Sequence, residues 1–279
     1  MSRLLFLSLR DGAIGPEVSR AEYNDVLNAT RLRPEQVERR MIPDADTPLG
    51  SLDGFDGIIV GGSSLNITNA EWSPWQRHVD EVLSEVVSGP RPVFFVCFGL
   101  SWLTHHLGGA VAHTHPEAAG PTVVKLLPAA ENDPLTAGLP EHFTALTGHT
   151  ENAEPHPAQL ELLASGPTCS VQIVRYGDHV WATQFHAEMD HTAMKARMDF
   201  FLRLRVLPRR GIRHDCRVAP RRGHHIRQRV AAAIYRVLRC ELGLRHRGRA
   251  VLEFEGVRLE SAAVHSLDDD LSDKLARGG

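Results

Sequence analysis

The stretch Pro92-Val93-Phe94-Phe95-Val96-Cys97-Phe98-Gly99-Leu100-Ser101-Trp102-Leu103-Thr104-His105-His106-Leu107-Gly108-Gly109 decides how the chain is read. Its unbroken apolar run Val93-Phe94-Phe95-Val96 suits a strand buried on both faces of a parallel sheet. Cys97 ends that run, Gly99 permits a tight turn, and a helix begins at once. Such a strand, turn and helix form a nucleophile elbow, which lifts one side chain above the sheet at a helix N-terminus, where the helix dipole favours negative charge. The alternative for Cys97 is a buried structural thiol that behaves as a small hydrophobe.

Working outward, residues 1–202 alternate short apolar runs with amphipathic stretches. Arg3 to Leu9, Gly57 to Val60, Pro92 to Val96, Thr122 to Leu127, Ser170 to Arg175 and His179 to Phe185 are predicted strands. Ser73-Pro74 predicts a helix start, followed at helical spacing by Val79, Val82, Leu83 and Val86. Thr192 predicts another, with Met194, Met198, Phe201 and Leu202 on one face. Strand alternating with helix predicts an α/β layered fold.

A thiolate nucleophile needs a base, and the base needs an orienting group. Trp181-Ala182-Thr183-Gln184-Phe185-His186-Ala187-Glu188 offers both at a strand end, because residues two apart in extended chain point the same way. His115-Pro116-Glu117 repeats the His-x-Glu pattern but lies only eighteen residues past Cys97, and reads as a surface loop. Asp56-Gly57-Ile58-Ile59-Val60-Gly61-Gly62-Ser63-Ser64 is a strand ending in small residues, whose N–H groups can approach a substrate and, with the Phe98 N–H, form an oxyanion hole. Glycine after a strand is also the ordinary mark of a turn.

Taken together, the Cys97-x-Gly99 elbow, Leu107-Gly108-Gly109, Gly61-Gly62-Ser63-Ser64, Asp133-Pro134-Leu135, Gly148-His149 and Gln184-Phe185-His186-x-Glu188 resemble a class I (triad-type) glutamine amidotransferase over residues 1–202. The resemblance implies a flavodoxin-like, mostly parallel sheet flanked by helices. It further implies hydrolysis of a γ-glutamyl amide with Cys97 as nucleophile, His186 as general base and acid, and Glu188 as its orienter. Backbone N–H groups of Ser63 and Phe98 would hold the oxyanion. Gly62, Ser101 and the Gly148-His149-Thr150 segment would line the substrate site, glutamine or another γ-glutamyl compound. No cofactor is implied. Three positions depart from the family pattern: Phe95 and Ser101 stand where the family has Gly and Gln, and Ala187 where it has Pro. Ser101 is shorter than Gln and reaches less far toward a substrate. Ammonia would pass to a separate synthetase subunit, since the chain carries no phosphate-loop pattern. A stand-alone γ-glutamyl peptidase and a non-catalytic binding protein on the same fold are the other readings.

Charge divides the chain. Residues 1–202 hold 13 Lys+Arg against 25 Asp+Glu, whereas residues 203–279 hold 18 against 9. From 203 to 249 there are fifteen arginines and no lysine, opposed only by Asp215 and Glu241. Three readings fit this irregular Arg-rich extension: a nucleic-acid arm, a disordered tail, or the product of a shifted reading frame. The first lacks aromatic interleaving and a recognition helix, so nucleic acid is not an expected partner; within it, Val230 to Leu238 suits a short helix. The four cysteines, Cys97, Cys169, Cys216 and Cys240, include no Cys-x-x-Cys pair. The apolar run Leu4-Leu5-Phe6-Leu7 is too short for a signal core or a membrane span, which predicts a cytoplasmic protein with no membrane partner. Sixteen histidines show no metal-ligand spacing, so no metal is expected. Trp72 and Trp75 either form a lip over the site or pack on the sheet.

Overall fold

The computed structural model describes residues 3–203, 229–234 and 238. Its elements run in the order β1 (Leu4–Ser8), α1 (Gly15–Thr30), β2 (Val37–Met41), β3 (Gly57–Val60), α2 (Pro74–Ser88), β4 (Val93–Val96), α3 (Phe98–His106), β5 (Val111–Ala112) and β6 (Glu117–Leu126). They continue with β7 (His142–His149), β8 (Asn152–Ala153), β9 (Leu160–Ser165), β10 (Ile173–Tyr176), β11 (Val180–Thr183) and α4 (His191–Arg203). Nine strands make one sheet in the order β2-β1-β3-β4-β11-β10-β9-β6-β7. The first five are parallel to one another; β10, β9, β6 and β7 extend the sheet antiparallel. This is the flavodoxin-like α/β fold that the alternating pattern predicts.

The local reasons are visible in burial. β1, β3 and β4 are buried at every residue, as strands covered on both faces must be. Helix α2 starts where Ser73-Pro74 predicts: the Ser73 Oγ accepts from the Gln76 N–H at 3.1 Å, and Val79, Val82, Leu83 and Val86 are buried. Trp72 and Trp75 are half-buried against the core, their indole N–H groups donating to the carbonyls of Ile67 and Ile42. Asp190 caps α4, its Oδ1 accepting from Thr192 N and Ala193 N.

One reading is corrected. Glu117 does not lie in a surface loop: it opens β6, is buried, and accepts from Thr122 Oγ1 (2.6 Å) and Gln172 Nε2 (2.9 Å). The His149 Nε2 also sits 2.9 Å from its Oε2. His115 alone is exposed, beside Glu154. The strands β2, β7 and β9 are additions to those the sequence predicts; β7 has alternating exposed and buried positions, a weaker signal than an apolar run.

Residues 229–234 are helical, and Val230, Ala233, Ile234 and Leu238 are buried in one cluster with Leu4, Phe6, Ile59 and Phe94. Leu238 lies so close to Gly57 that a Cβ there would meet its Cβ at 2.8 Å. Residues 204–228 and 239–279, on which most of the expectation of an Arg-rich extension falls, lie outside the described residues. Among the described residues no helix is long and apolar enough to cross a membrane, and no group of three His, Cys, Asp or Glu side chains is placed to hold a metal ion.

Candidate active site

Ligands in open α/β sheets sit beyond the carboxyl ends of the parallel strands. Four such ends meet here: Arg10 after β1, Gly61-Gly62-Ser63 after β3, Cys97 after β4 and His186 after β11. Cys97 occupies the turn between β4 and α3 with φ 52° and ψ −97°, a left-handed conformation that costs a non-glycine residue roughly 1–3 kcal/mol. The turn is held on its strand side by the Cys97 N–H, which donates to the Thr183 carbonyl at 2.8 Å. Gly99 is required for a different reason from left-handed backbone. A Cβ there would lie 2.5–2.8 Å from Phe95 side-chain atoms, so the elbow closes only because residue 99 has none. Phe95, unusual for the elbow, fills the space itself and packs on Trp102, ring centroids 5.6 Å apart.

His186 is placed by β7, its N–H donating to the Leu146 carbonyl at 2.8 Å. Its Nδ1 lies 2.7 Å from Glu188 Oε1, and the imidazole is also hydrogen-bonded to the Cys97 thiol. Burial works against the imidazolium, but the Glu188 charge and the hydrogen bonds to Cys97 and Glu188 outweigh it and push the His186 pKa up to about 10. Glu188 moves the opposite way: despite burial, His186 and then Arg197 hold it below the usual carboxylate range. Gly62 adjoins all of this. A Cβ on it would lie 3.3 Å from His186 Cε1, 3.7 Å from Arg10 Nη2 and 3.8 Å from Cys97 Cβ. Cys97, His186, Glu188 and Gly62 are thus brought together.

The remaining sequence candidates are placed as follows. Ser63 is half-buried and its Oγ donates to the Leu9 carbonyl at 3.1 Å, leaving its main chain in the loop beside Gly62. The Phe98 N–H is the first of α3, and leading helix N–H groups have no partner within the helix. Ser101 lies one turn into α3 and is buried. Gly148 and His149 end β7 and Thr150 follows them. His149 is buried between Glu117 and the Glu151 carbonyl, while Thr150 Oγ1 donates to Asn66 Oδ1 at 3.4 Å. Asp133 is structural: it accepts from Leu135 N, Thr136 N, Arg175 Nη1 and Trp181 Nε1.

Three groups escape a reading of the sequence. Glu151 pins the loop after Ser63, accepting from Ile67 N (2.9 Å) and Thr68 N (2.7 Å). Gln184 is buried with its Nε2 4.0 Å from Cys97 Sγ. Arg10, Glu22 and Arg197 form a buried charged cluster behind the site, with Glu22 accepting from Arg10 Nε (3.1 Å) and Arg197 Nη1 (2.8 Å). A signal exists for Glu22, which interrupts the buried stripe Val18, Val26 and Ala29 of α1 at helical spacing.

Comparison with known proteins agrees with this architecture. The family model for glutamine amidotransferase class-I matches residues 27–204. One of the two subunits of the glutamine-hydrolyzing GMP synthase of Thermoplasma volcanium is 32% identical over 164 residues, covering 58% of this chain and 76% of that protein. The corresponding subunit of Thermoplasma acidophilum is 29% identical over 170 residues, with the same two coverages. A glutamine amidotransferase of Thermotoga maritima, 16% identical, shares the fold with a TM-score of 0.63 over 85% of this chain and 99% of its own. With the family model spanning well over half of its length, the chain belongs to the class I glutamine amidotransferases.

Proposed function

We propose that this protein hydrolyses the side-chain amide of glutamine through Cys97, His186 and Glu188 and delivers ammonia to a separate synthetase subunit. The observation that carries the reading is the convergence of the Cys97 thiol, the His186–Glu188 pair and the Gly62 backbone at the carboxyl ends of β3, β4 and β11. The two Thermoplasma relatives, named as subunits rather than whole synthases, support a detached ammonia acceptor.

In this scheme the Cys97 sulfur, as thiolate, attacks the γ-carbonyl carbon. The oxygen takes up negative charge facing the N–H groups of Ser63 and Phe98. His186, charged through Glu188, gives its proton to the departing amine, so that ammonia leaves and a γ-glutamyl thioester remains. Water then loses a proton to His186 and adds to the thioester carbonyl, releasing glutamate and restoring the thiolate. With the His149 and Thr150 side chains engaged elsewhere, the Gly148-His149-Thr150 segment contributes main-chain groups to the substrate.

The test is ammonia release by the full chain, wild type and Cys97→Ala, from glutamine and from γ-glutamyl dipeptides. Loss of release from glutamine in Cys97→Ala is the expected result. Undiminished release in Cys97→Ala overturns the scheme, and turnover of dipeptides with none of glutamine transfers it to a γ-glutamyl peptidase.

A further inference from the structure

Arg10 is a buried arginine whose position is fixed from three elements. It follows β1; its partner Glu22 is on α1; and Glu22 in turn accepts from Arg197 on α4, while Ser8 Oγ donates to Glu22 at 3.4 Å. Burial opposes charge on all of these groups, yet the mutual attraction prevails: Glu22 is held below and Arg10 above its ordinary range. An arginine and a glutamate would be enough to join α1 to the sheet. What the joining does not explain is where the guanidinium ends. Its Nη2 lies against the same point, the missing Cβ of Gly62, as His186 Cε1 and Cys97 Cβ.

We propose that Arg10 is a positioning residue for the thiol: a cation locked by Glu22 and Arg197 that favours negative charge on Cys97 beside His186. The proposal rests on the reading of Cys97 as nucleophile and adds a group outside the Cys97, His186 and Glu188 set. The charged groups facing this region are Arg10 after β1, Glu22 and Asp25 on α1, His186, Glu188 and Asp190 after β11, and Arg197 on α4. Arg10 and Arg197 are the cations that do not titrate in the working range, and Arg10 is the one against Gly62.

The test is alkylation of the full chain by iodoacetamide across pH, with modification at Cys97 read by mass spectrometry. Cys169 serves as an internal reference, because burial pushes its thiol up to about 11. Arg10→Met should slow Cys97 alkylation at pH 7 by about five- to tenfold, the factor Coulomb's law gives for unit charges several ångströms apart at a dielectric of about 40. The deficit should vanish at alkaline pH, and Arg10→Lys should restore most of the rate. Glu22→Gln, which leaves Arg10 but removes the opposing anion, should move the inflection toward lower pH. A purely structural role shifts the melting temperature of these variants and leaves the inflections where they were. A folded Arg10→Met with the wild-type profile overturns the proposal. Should Arg10→Met fail to fold by circular dichroism, an inflection in Glu22→Gln that stays put or moves upward overturns it instead. Alkylation needs no glutamine, so failure of the glutaminase reading shows separately, as ammonia release that does not depend on Cys97.

Discussion

Replacing Gly62 by alanine tests how the site is assembled without removing any group that reacts. Gly62 has no left-handed φ, so alanine fits its backbone. The added methyl meets Arg10 Nη2 at 3.7 Å and Cys97 Cβ at 3.8 Å, both ordinary contacts, and His186 Cε1 at 3.3 Å, a few tenths of an ångström too close. One tight contact against a side chain costs at most about 1 kcal/mol, and the lower chain entropy of alanine in the unfolded state returns about 0.4–1 kcal/mol. Folding stability should therefore change by less than about 1 kcal/mol. Activity should fall much further. The imidazole must move off the thiol, and the methyl occupies the space beside the sulfur that an incoming carbonyl needs. Displacements of this kind cost about 100-fold in rate, or about 2.7 kcal/mol of barrier. The assay pairs urea unfolding with steady-state ammonia release, and the loss should appear in kcat as well as KM. An alanine variant of native stability whose kcat/KM stays within about threefold of wild type would refute the placement of the reaction at this point.

Four further outcomes follow from the same geometry. Gly99→Ala, forcing a Cβ to within 2.5 Å of the buried Phe95 ring, should cost about 2–3 kcal/mol in urea unfolding, and less in a Phe95→Ala background; strict additivity of the two changes would deny the clash. Glu188→Gln should lower the His186 pKa from about 10 toward its unperturbed value near ~6.5, followed by NMR of the ring Cε1 proton, and an unmoved titration would remove Glu188 as its cause. Glu117→Gln removes the carboxylate that serves His149, Thr122 and Gln172 and should destabilise by about 2–3 kcal/mol, whereas a surface carboxylate would cost nothing measurable. Asp25 is pushed up to about 7, by burial first and then by Glu188, so the folded state holds its proton where the unfolded state has lost it; stability should decline by roughly 2–4 kcal/mol from pH 4 to pH 7, and Asp25→Asn should abolish that part of the decline.

What the sequence reveals and what it conceals divide along a physical line. Val93-Phe94-Phe95-Val96 can be read because a strand buried on both faces is apolar at every position, and Cys97 because the chain turns directly after it. His186 and Glu188 can be read because their pairing is local, two residues apart. Glu117 looks like a loop residue because its burial comes from partners at 122, 149 and 172, and nothing in His115-Pro116-Glu117 itself shows that β6 starts there. Arg10 and Arg197 are invisible for the same reason carried further: Arg197 and Glu22 meet across 175 positions, and an arginine destined for burial looks like any surface arginine.

Strand order explains why so distant a pair as Cys97 and His186 can be reliable. The chain leaves β4, builds α3 and the strands β5 to β10, and returns to lay β11 directly beside β4, with Val96 opposite Thr183. The Thr183 carbonyl that closes this register is the one that accepts the Cys97 N–H, so a single bond holds both the elbow and the strand that delivers His186. A slip of one residue would turn every β11 side chain to the other face. Trp181 and Ala182 oppose such a slip, since both are fully buried, on opposite faces, in spaces of very different size. The antiparallel extension then adds a second restraint, because Leu146 of β7 accepts the His186 N–H. The imidazole is consequently fixed by two parts of the sheet and a carboxylate before any substrate arrives, the preorganisation that charge stabilisation in a transition state requires.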